Sequence, residues 1–312
     1  MRIFLTGATG YIGSAVLDAL VRAGHEVTAL VRDNGKARLI AQRGAQTVVG
    51  NLADPDSFRN ILDAQDGYVH TAFDRASGRG PEIDRIAIEL LVAAAKRPRT
   101  AHAATPPKRF IIYTSGLWVL GHSPDPADEG APVNPIALTA WRPAHEQFVV
   151  GAGTDSLRTI VIRPGVVYGG GTGIVADLFK SAANGLVRVV GDGNNHWPLV
   201  YDRDLADLYA RLAASPDASG IFHANDEGDE RVNDIVAAIR PYVSLRPDVR
   251  HVPIEEARSK MGPYADALAL DLVVRSPRAR TIGWTPTLHS VAGNAARLLE
   301  EWRNANAQEQ TA

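Results

Sequence analysis

The chain has 312 residues, 45% of them hydrophobic and 22% charged, with a formal net charge of -2 and no cysteine. That is apolar material enough for one large α/β domain with a small appended lobe. The near-zero charge offers no electrostatic ground for nucleic acid or an anionic membrane as partner, and the missing thiols exclude disulfides, thiolate nucleophiles and cysteine-ligated metal.

The N-terminal MRIFLTG is too short for a signal peptide and reads as a strand already under way. No apolar run approaches the roughly 20 residues that span a bilayer. A cytoplasmic protein without membrane association is the expectation. The pattern then alternates. Strands are expected at 2–7, 26–32, 46–52, 67–73, 108–115 and 157–165, and helices at 11–24, 36–45, 57–64, 82–97 and 136–153. Strands that are apolar almost throughout, separated by helices, predict a parallel sheet covered on both faces. Right-handed crossovers make that a doubly wound Rossmann fold, with ligands at the carboxyl ends of the strands. The basic, proline-containing stretch 97–108 reads as a solvated loop. Residues 166–198 and 245–290 are glycine-rich or irregular and are assigned to a smaller substrate-binding lobe. Residues 1–165 form the nucleotide-binding domain, to which 199–225 return, and the tail 303–312 is expected to fray.

The first turn, TGATGYIG (6–13), spaces Gly7, Gly10 and Gly13 as GxxGxxG between a strand and a helix. Gly7 permits a tight turn, Gly10 lets backbone approach a pyrophosphate, and Gly13 lets the helix pack close to the sheet. The open amides and the helix dipole then face the phosphates. The second strand chooses the cofactor. NAD binders usually end it on a carboxylate for the ribose hydroxyls, whereas here it ends at Arg32, with Lys36 and Arg38 nearby. A guanidinium suits a 2′-phosphate in charge and fork geometry, so NADP(H) is expected over NAD, although Asp33 follows.

With these motifs in view the chain resembles the extended short-chain dehydrogenase/reductase superfamily, of the NAD(P)-dependent epimerase/dehydratase type. The likeness rests on TGATGYIG, GNL (50–52), HTA (70–72), YTSGLWVLG (113–121), RPGVVYG (163–169), WPLVYDRDLADLY (197–209) and TIGWTP (281–286). It implies cofactor contacts from Gly7, Thr9, Gly10, Tyr11, Ile12 and Gly13 at the phosphates, and from Arg32, Asn51 and Leu52 at the adenosine. Thr71, Ala72 and Phe73 follow the fourth strand. Thr114, Arg142, Pro164, Gly165 and Val166 stand toward the nicotinamide. It also implies a small-molecule substrate, and a homodimer through the helices 82–97 and about 140–152.

The resemblance fails where the family carries its chemistry. A serine or threonine and a YxxxK pair are usual there, with tyrosine as the acid/base. Aligned on VLG (119–121) and Glu146, the serine position is Gly116, the tyrosine is Leu138 and the lysine is Arg142. Pro143 fits only a first helical turn, so the helix is expected to start near Ala140. Arg142 can hold a ribose but cannot shuttle protons. Ser115 or Thr114 can polarise an oxygen. Replacement acids are sought among Tyr168, His122, His145, Tyr113, His196 and Tyr201. Tyr168 ranks first because it follows RPG, and the expected catalytic set is Ser115, Arg142 and Tyr168. Trp118, Trp141 and Trp197 are candidates to wall an apolar pocket. No metal-ligand spacing is present. Two functions follow: an NADPH-dependent reductase acting on C=O, C=N or an activated C=C, or a non-catalytic NADP(H)-binding sensor or regulatory protein. Substrate identity does not follow from these residues.

Overall fold

The computed structural model describes residues 1–98, 108–243 and 246–311; the solvated loop expected at 97–108 falls largely outside the described residues. Seven strands build the central sheet: β1 (Arg2–Thr6), β2 (Glu26–Val31), β3 (Gln46–Val49), β4 (Gly67–His70), β5 (Arg109–Thr114), β6 (Leu157–Pro164) and β7 (Gly220–Ala224). All pairings are parallel, in the order β3-β2-β1-β4-β5-β6-β7. The order reverses between β1 and β4, which opens a ligand crevice at their carboxyl ends.

The helices that cover this sheet are α1 (Tyr11–Arg22), α2 (Asn34–Ala41), α3 (Gly80–Lys96), α4 (Arg142–Gly151) and α6 (Asp202–Ala214), while α5 (Ile174–Ala183) belongs to the smaller lobe. Strand alternation divides the core. Ile3, Leu5, Phe110, Ile112, Ile160 and Ile162 pack with Leu17 and Leu20 of α1 and Leu205 and Leu208 of α6. Phe4, Tyr68, Ile111, Tyr113 and Val161 point the other way, onto Ile88 and Leu91 of α3 and Val149 of α4. Each such aliphatic side chain contributes about 1.5–3 kcal/mol by leaving water, and the two-residue period fixes the register.

The smaller lobe has its own core, in which Tyr168, Phe179, Trp197, Ile235 and Leu298 meet. Strand Val166–Tyr168 lies beside Leu199–Tyr201, and Leu186–Val190 beside Asp248–Val252. This core draws in helix Val232–Ile239 and the start of helix Ala295–Thr311, segments outside the lobe expected from sequence. The tail expected to fray instead continues that last helix.

Other differences are local. The helix expected at 57–64 is two 3₁₀ turns, Pro55–Ser57 and Arg59–Ala64. The helix expected at 136–153 is a 3₁₀ turn, Ala137–Thr139, followed by α4, which starts at Arg142 with Pro143 in its first turn. Pro143 lacks an N–H, and only the first turn leaves that donor unneeded. Among the described residues no helix is long and apolar enough to cross a membrane, and no cluster of His, Cys, Asp or Glu could hold a metal ion.

A buried ion pair clamps α4 to β6. Arg163 Nε donates to both Glu146 oxygens at 3.0 and 3.2 Å and Nη2 donates to Oε2 at 2.6 Å, each side chain being 3% exposed. Breaking one half of such a pair strands a charge in the core. Arg163→Met should therefore lower unfolding free energy in urea by about 3–5 kcal/mol, and adding Glu146→Leu should restore most of it. Equal losses in the single and double variants would contradict this role.

Candidate active site

The phosphate end is built by close approach of backbone. Gly7 has φ of 81°, and a Cβ on it would lie 2.7 Å from the Ala72 nitrogen and from Thr71 Oγ1. A Cβ on Gly13 would lie 2.1 Å from the Gly7 oxygen. Both positions therefore exclude any side chain. Gly10 differs: it is exposed, and a Cβ there would meet only the Gly7 oxygen, at 3.2 Å. It caps α1 without a side-chain hydrogen bond, and the first turn carries no acidic residue. Open amides and an uncompensated helix dipole at an exposed glycine fit a pyrophosphate. Thr9 is exposed beside it, and Ile12 is half-buried. Tyr11 turns elsewhere: its hydroxyl donates to the Gly169 carbonyl at 2.7 Å and ties loop 169–173 over the start of α1.

At the adenosine end Asp33 is committed to the fold. Its Oδ1 accepts from the Lys36 amide at 2.8 Å and caps α2. Arg32, Lys36 and Arg38 are exposed and make no ion pair among the described residues. Asn51 Oδ1 accepts from the Ala53 amide at 3.0 Å, so this side chain shapes its own turn. Leu52 packs on the core beneath α3. Thr71 donates to the Thr6 carbonyl at 2.7 Å and, with Ala72, lies against Gly7.

The carboxyl ends of β4, β5 and β6 meet beyond these loops. Thr114 Oγ1 donates to the His70 carbonyl at 2.7 Å and lies 2.7 Å from the Tyr209 hydroxyl. The Thr114 carbonyl accepts from Arg142 Nη1 at 3.0 Å. Ser115 Oγ is buried without a hydrogen-bond partner among the described residues. Gly116 faces the Pro164 carbonyl, 3.9 Å from where a Cβ would stand. The Gly165 and Val166 amides donate hydrogen bonds to the Ala224 and Pro198 carbonyls. Arg142, from the first turn of α4, lies 4.4 Å over the Trp141 ring and 5.6 Å from the Phe73 ring. Leu138, on the 3₁₀ turn, is 37% exposed.

The sequence candidates for an acid do not gather at this edge. Tyr168 is fully buried in the second core, and its hydroxyl donates to Asp226 Oδ2 at 3.0 Å. Burial and the neighbouring Asp226 charge push its pKa far up, so Tyr168 is a structural tie rather than the expected proton donor. Asp226 in turn is pushed up to about 7, chiefly by burial. Tyr201 donates to Glu301 at 3.0 Å and is pushed up to about 12 by burial and by that carboxylate. His196 Nδ1 pairs with Asp271 at 2.8 Å, and His122 is exposed. Trp197 is buried, donating to the Leu268 carbonyl, whereas Trp118 is half-buried and meets the Tyr264 ring edge-on at 6.4 Å. Tyr264 is absent from the sequence candidates. It opens a five-residue helix, Tyr264–Leu268, in the small lobe, and its only sequence signal is a lone aromatic after GP.

Tyr113 and His145 belong to one buried carboxylate. Asp84 Oδ2 accepts from the Tyr113 hydroxyl at 2.8 Å and from His145 Nδ1 at 2.8 Å, and Oδ1 lies 3.3 Å from His70 Nε2. Burial alone pushes the Asp84 carboxyl up. Hydrogen bonds from His145 and His70, with the charges of His70 and Arg142, outweigh it and hold the pKa well below the usual carboxylate range. Four elements, α3, β4, β5 and α4, thus converge on one anion beneath the Arg142 edge.

Residues 3–224 match the model of the NAD dependent epimerase/dehydratase family. An uncharacterized protein of Schizosaccharomyces pombe, C2A9.02, is 30% identical over 92% of this chain and 95% of its own length. A 2-alkyl-3-oxoalkanoate reductase of Stenotrophomonas maltophilia is 28% identical over 77% of this chain and 76% of its own. The human epimerase family protein SDR39U1, solved with NADPH, superposes with a TM-score of 0.75 over 96% of this chain and 99% of its own at 21% identity, a likeness of fold.

The Asp84 network carries a pH signature. A carboxylate whose folded pKa is depressed stabilises the fold fully above its unfolded pKa, and that contribution is lost as pH falls below it. Unfolding free energy should therefore decline on acidification below about pH 4. Asp84→Asn should remove that part of the decline and cost about 3 kcal/mol near neutrality; a D84N variant with unchanged stability at both pH values would contradict the assignment.

Proposed function

The chain belongs to the NAD dependent epimerase/dehydratase family, and from that premise we propose that it is an NADPH-dependent reductase of a small organic C=O, C=N or activated C=C compound. The observation that carries this reading is the chemistry of the donors at the nicotinamide end. Arg142 can polarise an oxygen, and a guanidinium does not exchange protons near neutrality. Such a site favours hydride addition to a polarised acceptor over reactions that need a protein base to remove a proton.

The residues fit NADP(H). Gly7, Gly10 and the first turn of α1 take the pyrophosphate. Arg32, with Lys36 and Arg38, takes the 2′-phosphate, since Asp33 is occupied as a helix cap. Thr71, Ala72, Thr114 and the Pro164–Val166 segment border the nicotinamide riboside. NADPH supplies the hydride. Arg142, fixed by the Thr114 carbonyl and the Trp141 face, meets the substrate atom on which negative charge develops, a form of stabilisation that is strong where water is excluded. The balancing proton reaches the product from solvent after hydride transfer. The reductase named among the relatives supports the reaction class.

A second reading, a non-catalytic NADP(H) sensor, is favoured by one observation: Tyr113, Tyr168, Tyr201, His145 and His196 are all engaged with carboxylates. Incubating the NADPH complex with a panel of ketones, enones and imines separates the two. Oxidation of NADPH on some member is expected; tight binding without oxidation across the panel would favour the sensor. On a member that turns over, Arg142→Met should lower kcat by about 10²-fold. Arg32→Ser should raise the Kd for NADPH by about tenfold or more while leaving that for NADH unchanged.

A further inference from the structure

The order of the central sheet reverses between β1 and β4, so the chain leaves β1 for α1 on one face and β4 for α3 on the other. At that point the ladder of backbone bonds ends and a side chain takes over. His70, the last residue of β4, stands in register with Thr6 of β1 and with Tyr113 of β5. Its ring is 1% exposed and stacks on Tyr113 with centroids 6.0 Å apart. Nδ1 lies 2.7 Å from Thr6 Oγ1, and Nε2 lies 3.3 Å from Asp84 Oδ1. A neutral ring that donates from Nε2 to the carboxylate leaves Nδ1 to accept from the Thr6 hydroxyl.

The Thr6 side of this bridge leads to the glycine turn. Thr6 precedes Gly7, and its carbonyl accepts from Thr71 Oγ1 at 2.7 Å. That hydroxyl oxygen lies 2.7 and 2.5 Å from where Cβ atoms on Gly7 and Gly13 would stand, so the turn rests against it. The other side leads to Arg142 by two routes. Through the backbone, the His70 carbonyl accepts from Thr114 Oγ1 at 2.7 Å, and the Thr114 carbonyl accepts from Arg142 Nη1 at 3.0 Å. Through the ring, Asp84 also accepts from His145 Nδ1 at 2.8 Å, one turn after Arg142 on α4. The hydroxyls of Thr71 and Thr114 are both committed to this frame.

We propose that His70 is a positioning residue of the cofactor crevice: its ring holds the glycine turn, through Thr6, and the Arg142 helix, through Asp84, at a fixed spacing. The proposal rests on the reductase reading for what the two ends bind, and it adds the residue that sets one end relative to the other. Hydride transfer depends on donor and acceptor being held in register. The turn fixes the cofactor, and Arg142 meets the substrate. A buried imidazole suits the task because its two nitrogens offer a donor and an acceptor in one rigid plane. An apolar side chain there would leave the Thr6 hydroxyl and Asp84 Oδ1 each short of a partner.

Three substitutions at this one position separate the two arms. His70→Asn keeps an amide oxygen near the place of Nδ1, for Thr6. His70→Gln reaches the place of Nε2 and keeps a donor for Asp84. His70→Leu keeps neither. Calorimetric titration of the full chain with NADPH reads the turn, and kcat on a ketone, enone or imine that the wild type reduces reads the Arg142 end. His70→Leu and His70→Gln should each raise the NADPH Kd by about tenfold, and His70→Asn by less than about threefold. The order reverses in kcat, which should fall about tenfold in His70→Leu and His70→Asn and less than about threefold in His70→Gln. Thr6→Val should raise the Kd as His70→Leu does, and the two together no further. Thermal midpoints identify a histidine that only packs: Kd and kcat would then follow the midpoint and not the ring end retained. That pattern, or an NADPH Kd unchanged in His70→Leu, would overturn the proposal, and the Kd series decides this even where no compound is turned over. The premise fails separately, by absence of NADPH binding to the wild type.

Discussion

A buried anion holds this site in place. Asp84 gathers a phenol from β5, an imidazole from β4 and an imidazole from α4, and its charge also faces Arg142. A carboxylate taken out of water is tolerable only when its lone pairs are satisfied, so the four elements have little freedom to drift apart. Phe73 follows β4, Thr114 ends β5 with Ser115 next, and Arg142 opens α4. The position of Arg142 therefore depends on a group buried behind it.

The second constraint is the start of α4. Pro143 forbids helical hydrogen bonding one turn earlier, so the backbone before it forms a 3₁₀ turn and presents Leu138 outward. Arg142 becomes the first residue of the helix, and its guanidinium folds back onto the Thr114 carbonyl and the Trp141 face. The Arg163–Glu146 pair anchors the same helix from below. A cation in this setting orients and stabilises charge. It has no proton to exchange at neutral pH, which is why the chemistry argued above is addition to a polarised acceptor.

Much of the fold was legible in the sequence because it depends on local rules. Apolar strands alternating with amphipathic helices define the sheet, and Gly7 and Gly13 are needed because backbone atoms lie where their Cβ atoms would stand. Pro143 pointed to a delayed start of α4 near Ala140, two residues before the observed Arg142. What escaped depends on partners distant in the chain or on a choice between two local uses. Asp33 reads as a carboxylate that counts against NADP(H), and only the structure shows that it caps a helix. Tyr168 follows RPG, a segment the resemblance sets beside the cofactor, yet alternation along its short strand turns it inward toward Asp226, 58 residues on. The small lobe's extent was under-read because its core is assembled from segments as far apart as Tyr168 and Leu298.

The proposed dinucleotide site prefers the phosphorylated cofactor, and calorimetric titration of the wild-type protein with NADPH and with NADH measures that preference. An exposed Arg32 and a committed Asp33 predict NADPH binding tighter than NADH by about tenfold or more. Equal affinities would contradict the role of Arg32, and the absence of binding by either would contradict the dinucleotide site itself.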